Sequence, residues 1–138
     1  EDQGWISWIT IFSILKKKIK IFGNGKQVRD ILHIDDLVKL FYKIYKNKKI
    51  LDKNYFNCGG GRKNALSLIE LCNFLEKINK RKVNMKFENE RKSDQKIFIF
   101  NNNLLKKNFS WEPKIDKFKG IKLLHNWIIS NIRDLNKI

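Results

Sequence analysis

Short extended runs that halt at glycine alternate with helix-period segments along the whole chain. That order confines it to an α/β or α+β arrangement. The segment from Trp5 to about Lys18 is apolar on most sides (Trp5, Ile6, Trp8, Ile9, Phe12) and reads as a mostly buried helix. Its terminal lysines suit the negative end of the helix. Ile19–Phe22 alternates like a strand and stops at Gly23-Asn24-Gly25. Val28, Ile31 and Ile34 stay strand-like up to Asp35-Asp36. These acids are expected to cap a helix that carries Leu37, Leu40, Phe41 and Ile44 on one face. Residues 54–58 read as a strand entering Gly59-Gly60-Gly61. Ser67, with Glu70 three residues on, makes a capping box and opens a helix whose buried stripe is Leu68, Leu71, Cys72, Leu75 and Ile78. Residues 83–87 and 96–100 read as two more strands. Asn101-Asn102-Asn103 caps a short helix ending near Lys107, and Asp116 begins a last helix with Phe118, Ile121, Leu124, Trp127 and Ile128 facing inward.

A chain of 138 residues is the size of one compact domain, and it shows no repeat and no low-complexity linker. No run of eighteen apolar residues occurs, so no membrane span is expected. The apolar opening lacks the basic lead and small-residue cleavage site of a signal peptide. Cys58 and Cys72 are too few for a disulfide framework, and a reducing, cytoplasmic location is the expectation. The chain begins at Glu1 and its single methionine is Met85, which reads as a fragment or a processed chain. A net charge of +16 first suggests nucleic acid. Only five of the thirty basic residues are arginine, however, and the lysines are scattered among abundant Asn and Ile, as AT-rich coding produces. No dedicated nucleic-acid role is expected. A small basic nucleic-acid-binding module is kept as the reading from another class, and a nonfunctional remnant as a third.

Gly23-Asn24-Gly25 begins like a dinucleotide fingerprint. Val28 stands at its third glycine position, and a strand-like segment follows instead of a helix. Gly59-Gly60-Gly61 lacks the Lys-Ser/Thr ending of a phosphate loop. Both are read as turns able to bring backbone close to a ligand. Tyr42 with Lys46 and Tyr45 with Lys49 have the spacing of a proton-donor pair, but in so lysine-rich a helix they are read as solvent-facing chance matches. His33 reads as an orienting or capping residue, and neither it nor His125 has metal-ligand spacing. Arginine is more informative, because lysine is the default cation here. Arg29 follows the Gly-Asn-Gly turn, and Arg91 lies three residues before Asp94. Two guanidinium forks can grip a diphosphate bidentately while Asp94 accepts from ribose hydroxyls. The alternative is a pair of surface ion pairs, Arg29–Asp30 and Arg91–Asp94, and spacing leaves both open.

Five segments together resemble the extended short-chain dehydrogenase/reductase family: EDQGW at 1–5, IFGNGKQVRDILHIDDLV at 21–38, FNCGGGRKNALSLIEL at 56–71, ERKSDQKIFIF at 90–100 and FSWEPKI at 109–115. Within it the chain looks most like the NAD-dependent epimerase/dehydratases of the CDP-paratose (CDP-tyvelose) 2-epimerase type. A nucleotide-sugar dehydratase or 4-epimerase is the alternative. The resemblance implies an α/β fold made of the C-terminal substrate-binding lobe plus the last elements of the Rossmann sheet, as one portion over residues 1–138. It further implies that Arg29 contacts the substrate pyrophosphate and that Arg91 and Asp94 hold phosphate and ribose. The backbone around Ile21 would pass near the nucleobase, and Gln3, Gly4 and Trp5 would lie where the nucleotide sugar enters. The family's glycine-rich NAD loop and catalytic Tyr-x-x-x-Lys belong upstream of EDQGW. No catalytic or cofactor-binding residue is therefore expected here, and the portion alone is expected to be inactive. In an intact relative, NAD takes hydride from a sugar carbon and returns it to the opposite face; such enzymes are expected to be homo-oligomers. Lys92-Ser93 departs from the family's usual Pro-Gly.

Overall fold

The computed structural model describes residues 4–47 and 55–132. In chain order the elements are α1 (Trp5–Ile14), β1 (Ile19–Phe22), β2 (Val28–Asp30), α2 (Ile34–Lys46), a 3-10 turn (Arg62–Asn64), β3 (Ala65–Ser67), α3 (Leu68–Asn79), β4 (Met85–Glu88), β5 (Ile97–Phe98), α4 (Asn103–Phe109) and α5 (Lys117–Ser130). They form two compact units, each drawn from separate stretches of chain. Of the described residues, the first takes 4–27, 67–96 and 118–132; the second takes 28–47, 55–66 and 97–117. The sequence shows no linker because the chain changes unit within motifs, for example between Gln27 and Val28.

In the first unit β1 and β4 run parallel, with Ile19 opposite Met85 and Ile21 opposite Phe87. Alternation along β1 removes Ile19 and Ile21 from solvent and leaves Lys20 outside. Leu71, Cys72 and Leu75 of α3, Ile121 and Ile128 of α5, Ile9 of α1 and Val83 are buried with them. The expected capping box is present: Ser67 Oγ accepts from the Glu70 N–H at 3.2 Å, and Glu70 Oε2 accepts from the Ser67 N–H at 2.6 Å. Helix α1 stops at Ile14, short of Lys18, because Lys16 takes a left-handed conformation at φ 58°. Its end is capped by Arg81, whose Nη2 donates to the carbonyls of Ser13 and Ile14 at 2.8 and 2.6 Å. The inward stripe of α5 is Ile121, His125 and Ile128, whereas Phe118 and Trp127 are exposed. His125 can face inward because its Nε2 has a partner there, Asn79 Oδ1 at 2.8 Å.

In the second unit β2 lies between β3 and β5, and it pairs with β5 in parallel, Val28 opposite Ile97 and Arg29 opposite Phe98. The N-cap of α2 is His33, not the acid pair: its Nδ1 accepts from the Asp35 N–H at 3.2 Å. Asp35 and Asp36 occupy the first turn, where the helix dipole favours negative charge. Leu40, Leu105, Phe109 and Trp111 form the core, with Leu37, Ile44, Phe56 and Cys58 around it. Phe41 was expected on the same face and is instead exposed. Residues 55–58 form no strand and join no sheet among the described residues, and Asn54 lies outside them. A strand exists only with a neighbour to take its N–H and C=O groups.

The Gly59-Gly60-Gly61 turn does bring backbone close to something, and that something is the protein's own chain. Gly61 N–H donates to Asp30 Oδ2 at 2.7 Å, and Asn102 brackets Gly59 by accepting from its N–H at 3.1 Å and donating to its carbonyl at 2.7 Å. A Cβ on Gly60 would collide with the Ile31 carbonyl and lie 2.6 Å from its carbon.

Candidate functional site

The loop from residue 90 to 96 in the first unit is where the sequence-predicted pair Arg91 and Asp94 can be placed. Arg91 is exposed, and its guanidinium lies over the Phe22 ring, 3.9 Å from the centroid. Phe22 ends β1, so the strand's register fixes this platform. A guanidinium resting on an aromatic face keeps its in-plane N–H donors for an anion, the orientation that bidentate phosphate contact needs. The Asp94 N–H donates to the Arg91 carbonyl at 3.3 Å, closing the turn. Gln27 ties the parts together: its Nε2 donates to the Phe22 carbonyl at 2.9 Å and to Asp94 Oδ2 at 3.2 Å. Sequence reasoning gave Phe22 and Gln27 no role. The available signal was the GKQVRD motif, in which Gln27 carries an uncharged amide with two N–H donors.

Lys92-Ser93 bears on this geometry. Ser93 sits at φ 67°, left-handed backbone that glycine adopts without steric cost and an L side chain does not. Ser93→Gly is therefore expected to stabilise the chain by about 1 kcal/mol, net of glycine's greater freedom when unfolded. Urea unfolding would check this; a midpoint unchanged or lowered would show that the serine carries no strain.

The remaining expected site residues fall as follows. Gln3 lies outside the described residues. Gly4 is the exposed N-cap of α1 at φ 83°, and half-buried Trp5 is the helix's first residue. The Ile21 side chain is fully buried in β1, which leaves only its backbone for any ligand contact. Arg29 belongs to the second unit, is half-buried on β2, and donates from Nη1 to the Val28 carbonyl at 2.8 Å. That unit also contains an open hollow of about 910 Å³ bordered by Gly60, Asn102, Lys106 and Lys114, which Arg29 does not line.

Both glycine turns pack closely against the protein's own chain. Gly25 leads into β2, and a Cβ there would meet Ile69 Cδ1 at 2.8 Å; a Cβ on Gly59 would meet Asp30 and Phe100 and one on Gly60 would meet Ile31, although Gly60 also borders the open hollow. Tyr42 and Lys46 form an exposed cation–π contact at 4.5 Å, in keeping with their reading as a surface pair, and Lys49 lies outside the described residues. Both cysteines are free, and burial pushes the Cys72 thiol up to about 11, with nearby Glu76 adding to the shift. Among the described residues no group of three or more His, Cys, Asp or Glu is placed to hold a metal, and no helix is long and apolar enough to cross a membrane.

Residues 5–59 match the NAD dependent epimerase/dehydratase family. The chain is 35% identical over 136 residues to the CDP-paratose 2-epimerase of Salmonella typhi, covering 94% of this chain and 40% of that protein. It is 33% identical to the UDP-glucuronate 4-epimerase of Thermodesulfobacterium geofontis, covering 94% of this chain and 41% of that protein. The crystal structure of UDP-glucuronic acid 4-epimerase from Bacillus cereus, in complex with UDP-glucuronic acid and NAD, superposes with a TM-score of 0.84 at 20% identity, covering 94% of this chain and 40% of that one. That likeness shows the fold, a mixed α/β arrangement of the kind found in NAD-dependent epimerases. The chain spans about 40% of the length of the curated relatives it matches.

Proposed function

The chain belongs to the NAD-dependent epimerase/dehydratase family of nucleotide-sugar enzymes, and from that premise we propose that it is the substrate-gripping portion of a 2-epimerase acting on a CDP-sugar. The observation that carries the reading is the Arg91–Asp94 turn, held on Phe22 by stacking and on Gln27 by hydrogen bonds. Arg91 supplies the phosphate contact, and Asp94 accepts from ribose hydroxyls. Arg29 is assigned to the pyrophosphate through the motif it occupies, and Gln3, Gly4, Trp5 and the Ile21 backbone to the substrate's entrance and base. Likeness to the Salmonella typhi enzyme favours the 2-epimerase over the 4-epimerase and dehydratase readings.

NAD, when bound by an intact family member, supplies the hydride acceptor. No step of the hydride chemistry is assigned to the residues of this chain. What they do is bind and orient: a diphosphate held at one end fixes the sugar's position relative to whatever reacts with it. One portion organised in this way, in the cytoplasm and within a homo-oligomeric enzyme, is the setting proposed for it.

Titration calorimetry with CDP-glucose tests the reading directly. Weak binding without turnover is expected. Arg91→Ala is expected to weaken it at least tenfold, in line with about 1.5–3 kcal/mol for hydrogen bonds to a charged group. Arg91→Lys should not restore it, since an ammonium lacks the planar fork. Equal affinity in all three proteins would refute the role of Arg91. Strong, salt-sensitive DNA binding in place of nucleotide binding would favour the basic-module reading.

A further inference from the structure

Four arginines lie among the described residues, and three of them have a protein contact for the guanidinium. Arg81 caps α1, Arg91 rests on Phe22, and Arg29 donates to the Val28 carbonyl. Arg62 is exposed in the 3-10 turn, and its side chain makes no hydrogen bond, ion pair or ring contact among the described residues. It borders the hollow of the second unit together with Lys63, Lys106 and Lys114. In so lysine-rich a chain the three ammonium groups carry little information alone; the guanidinium beside them is the uncommon feature.

Charge around the hollow is unbalanced. Glu112 and Asp116 are the carboxylates that border it. Lys106 Nζ lies 2.9 Å from Glu112 Oε2. The hydrogen bond and charge of Lys106, with the charges of Lys63 and Lys114, hold the Glu112 carboxyl below its ordinary range. Three ammonium groups thus act on one carboxylate, which neutralises one of them, and Arg62 adds a further positive charge. Ile97, 68% exposed, and half-buried Phe100 and Pro113 give the same hollow an apolar wall. A concave site of about 910 Å³ that joins a few cations to an apolar wall has the make-up of a small-molecule cleft. Nucleic acid is met instead by charge spread along a groove or face.

We propose that the hollow of the second unit binds a nucleotide, its phosphates on Arg62, Lys63 and Lys114 and its base against Ile97 and Phe100. Two or more negative charges suit the surplus, and the guanidinium fork takes phosphate oxygens bidentately. Arg29 is not among the walls of the hollow, and Arg91 and Asp94 belong to the first unit. The proposal therefore stands apart from the functional reading above.

Calorimetric titration of ADP into the 138-residue chain carrying Arg91→Ala, which silences the Arg91 contact, tests it. One-to-one binding that weakens as salt rises is expected. Adding Arg62→Ala should weaken it about tenfold or more. Circular dichroism and the urea midpoint should stay unchanged, because that side chain has no contact to lose. An ammonium in its place, Arg62→Lys, should recover only part of the affinity. Lys107→Ala, at an exposed position of α4 outside the hollow, should leave binding as it is. Pyrophosphate should bind about tenfold more weakly than ADP, for want of the apolar contact, and adenosine should not bind. The proposal is overturned if ADP does not bind, if Arg62→Ala leaves its affinity unchanged, or if Lys107→Ala lowers it as much. Pyrophosphate bound as tightly as ADP overturns it too, as does a single-stranded oligonucleotide bound more tightly than ADP through Arg62. CDP-glucose binding that depends on Arg91, with no ADP binding, sinks this proposal alone. ADP binding that depends on Arg62, with CDP-glucose indifferent to Arg91→Ala, sinks the functional reading alone.

Discussion

Gly60→Ala is expected to cost about 3 kcal/mol or more and to lower the thermal midpoint by roughly 6–12 °C. The added Cβ would collide with the Ile31 carbonyl oxygen, 2.6 Å from the carbonyl carbon and 2.8 Å from the Ile31 nitrogen. All three atoms are backbone, so no side chain can rotate out of the way. Relief requires separating the glycine turn from the segment that follows β2. That movement also strains the Gly61 N–H bond to Asp30 and the two bonds from Asn102 to Gly59. A chain that kept its midpoint with alanine at this position would show that the turn does not approach Ile31 as described. The neighbouring Gly61 offers a contrast: its Cβ would come no nearer than 3.5 Å to Asn102 Nδ2, so any cost of Gly61→Ala arises from its positive φ of 70° and not from collision.

Asp36→Ala is expected to be the most damaging single side-chain truncation in the second unit. The residue is almost wholly buried, and its Oδ2 accepts from the Lys114 and Ile115 N–H groups at 2.9 and 2.8 Å. Its carbonyl accepts from the Trp111 indole at 3.0 Å, and Lys39 Nζ lies 4.0 Å from Oδ1. One carboxylate thus fixes the 114–115 loop against α2. Alanine strands two backbone donors, at about 1.5–3 kcal/mol for each charge-assisted bond lost, or roughly 3–6 kcal/mol in all. Asp36→Asn keeps an oxygen in place and is expected to cost about half as much. Denaturant unfolding of the three proteins would check the order. A stability for Asp36→Ala within 1 kcal/mol of the parent would contradict the anchoring role.

Much of this architecture is written locally. The Ser67–Glu70 capping box, the alternation of Ile19 and Ile21, the role of His33 and the helical period of α3 all depend on neighbours a few residues away, and each appears in the structure. Local rules fail where a distant partner intervenes. His125 faces inward only because Asn79 waits for it, forty-six residues away in sequence, and Phe118 and Trp127 are left outside. Arg81, one of the scarce arginines, caps the end of α1. Scarcity of guanidinium in a lysine-rich chain therefore marks a geometric need without saying whether a ligand or a helix end fills it.

The candidate site divides in the same way. Residue identity and order alone pointed to the family and to the Arg91–Asp94 spacing. Tertiary structure supplied Phe22 as the surface under Arg91 and Gln27 as the tie to Asp94, sixty-seven residues away. It also showed that the triple glycine serves the fold. Spacing along a chain fixes which side chains share a helix face or a strand face; only the closed fold decides which segments from far apart come within hydrogen-bonding distance.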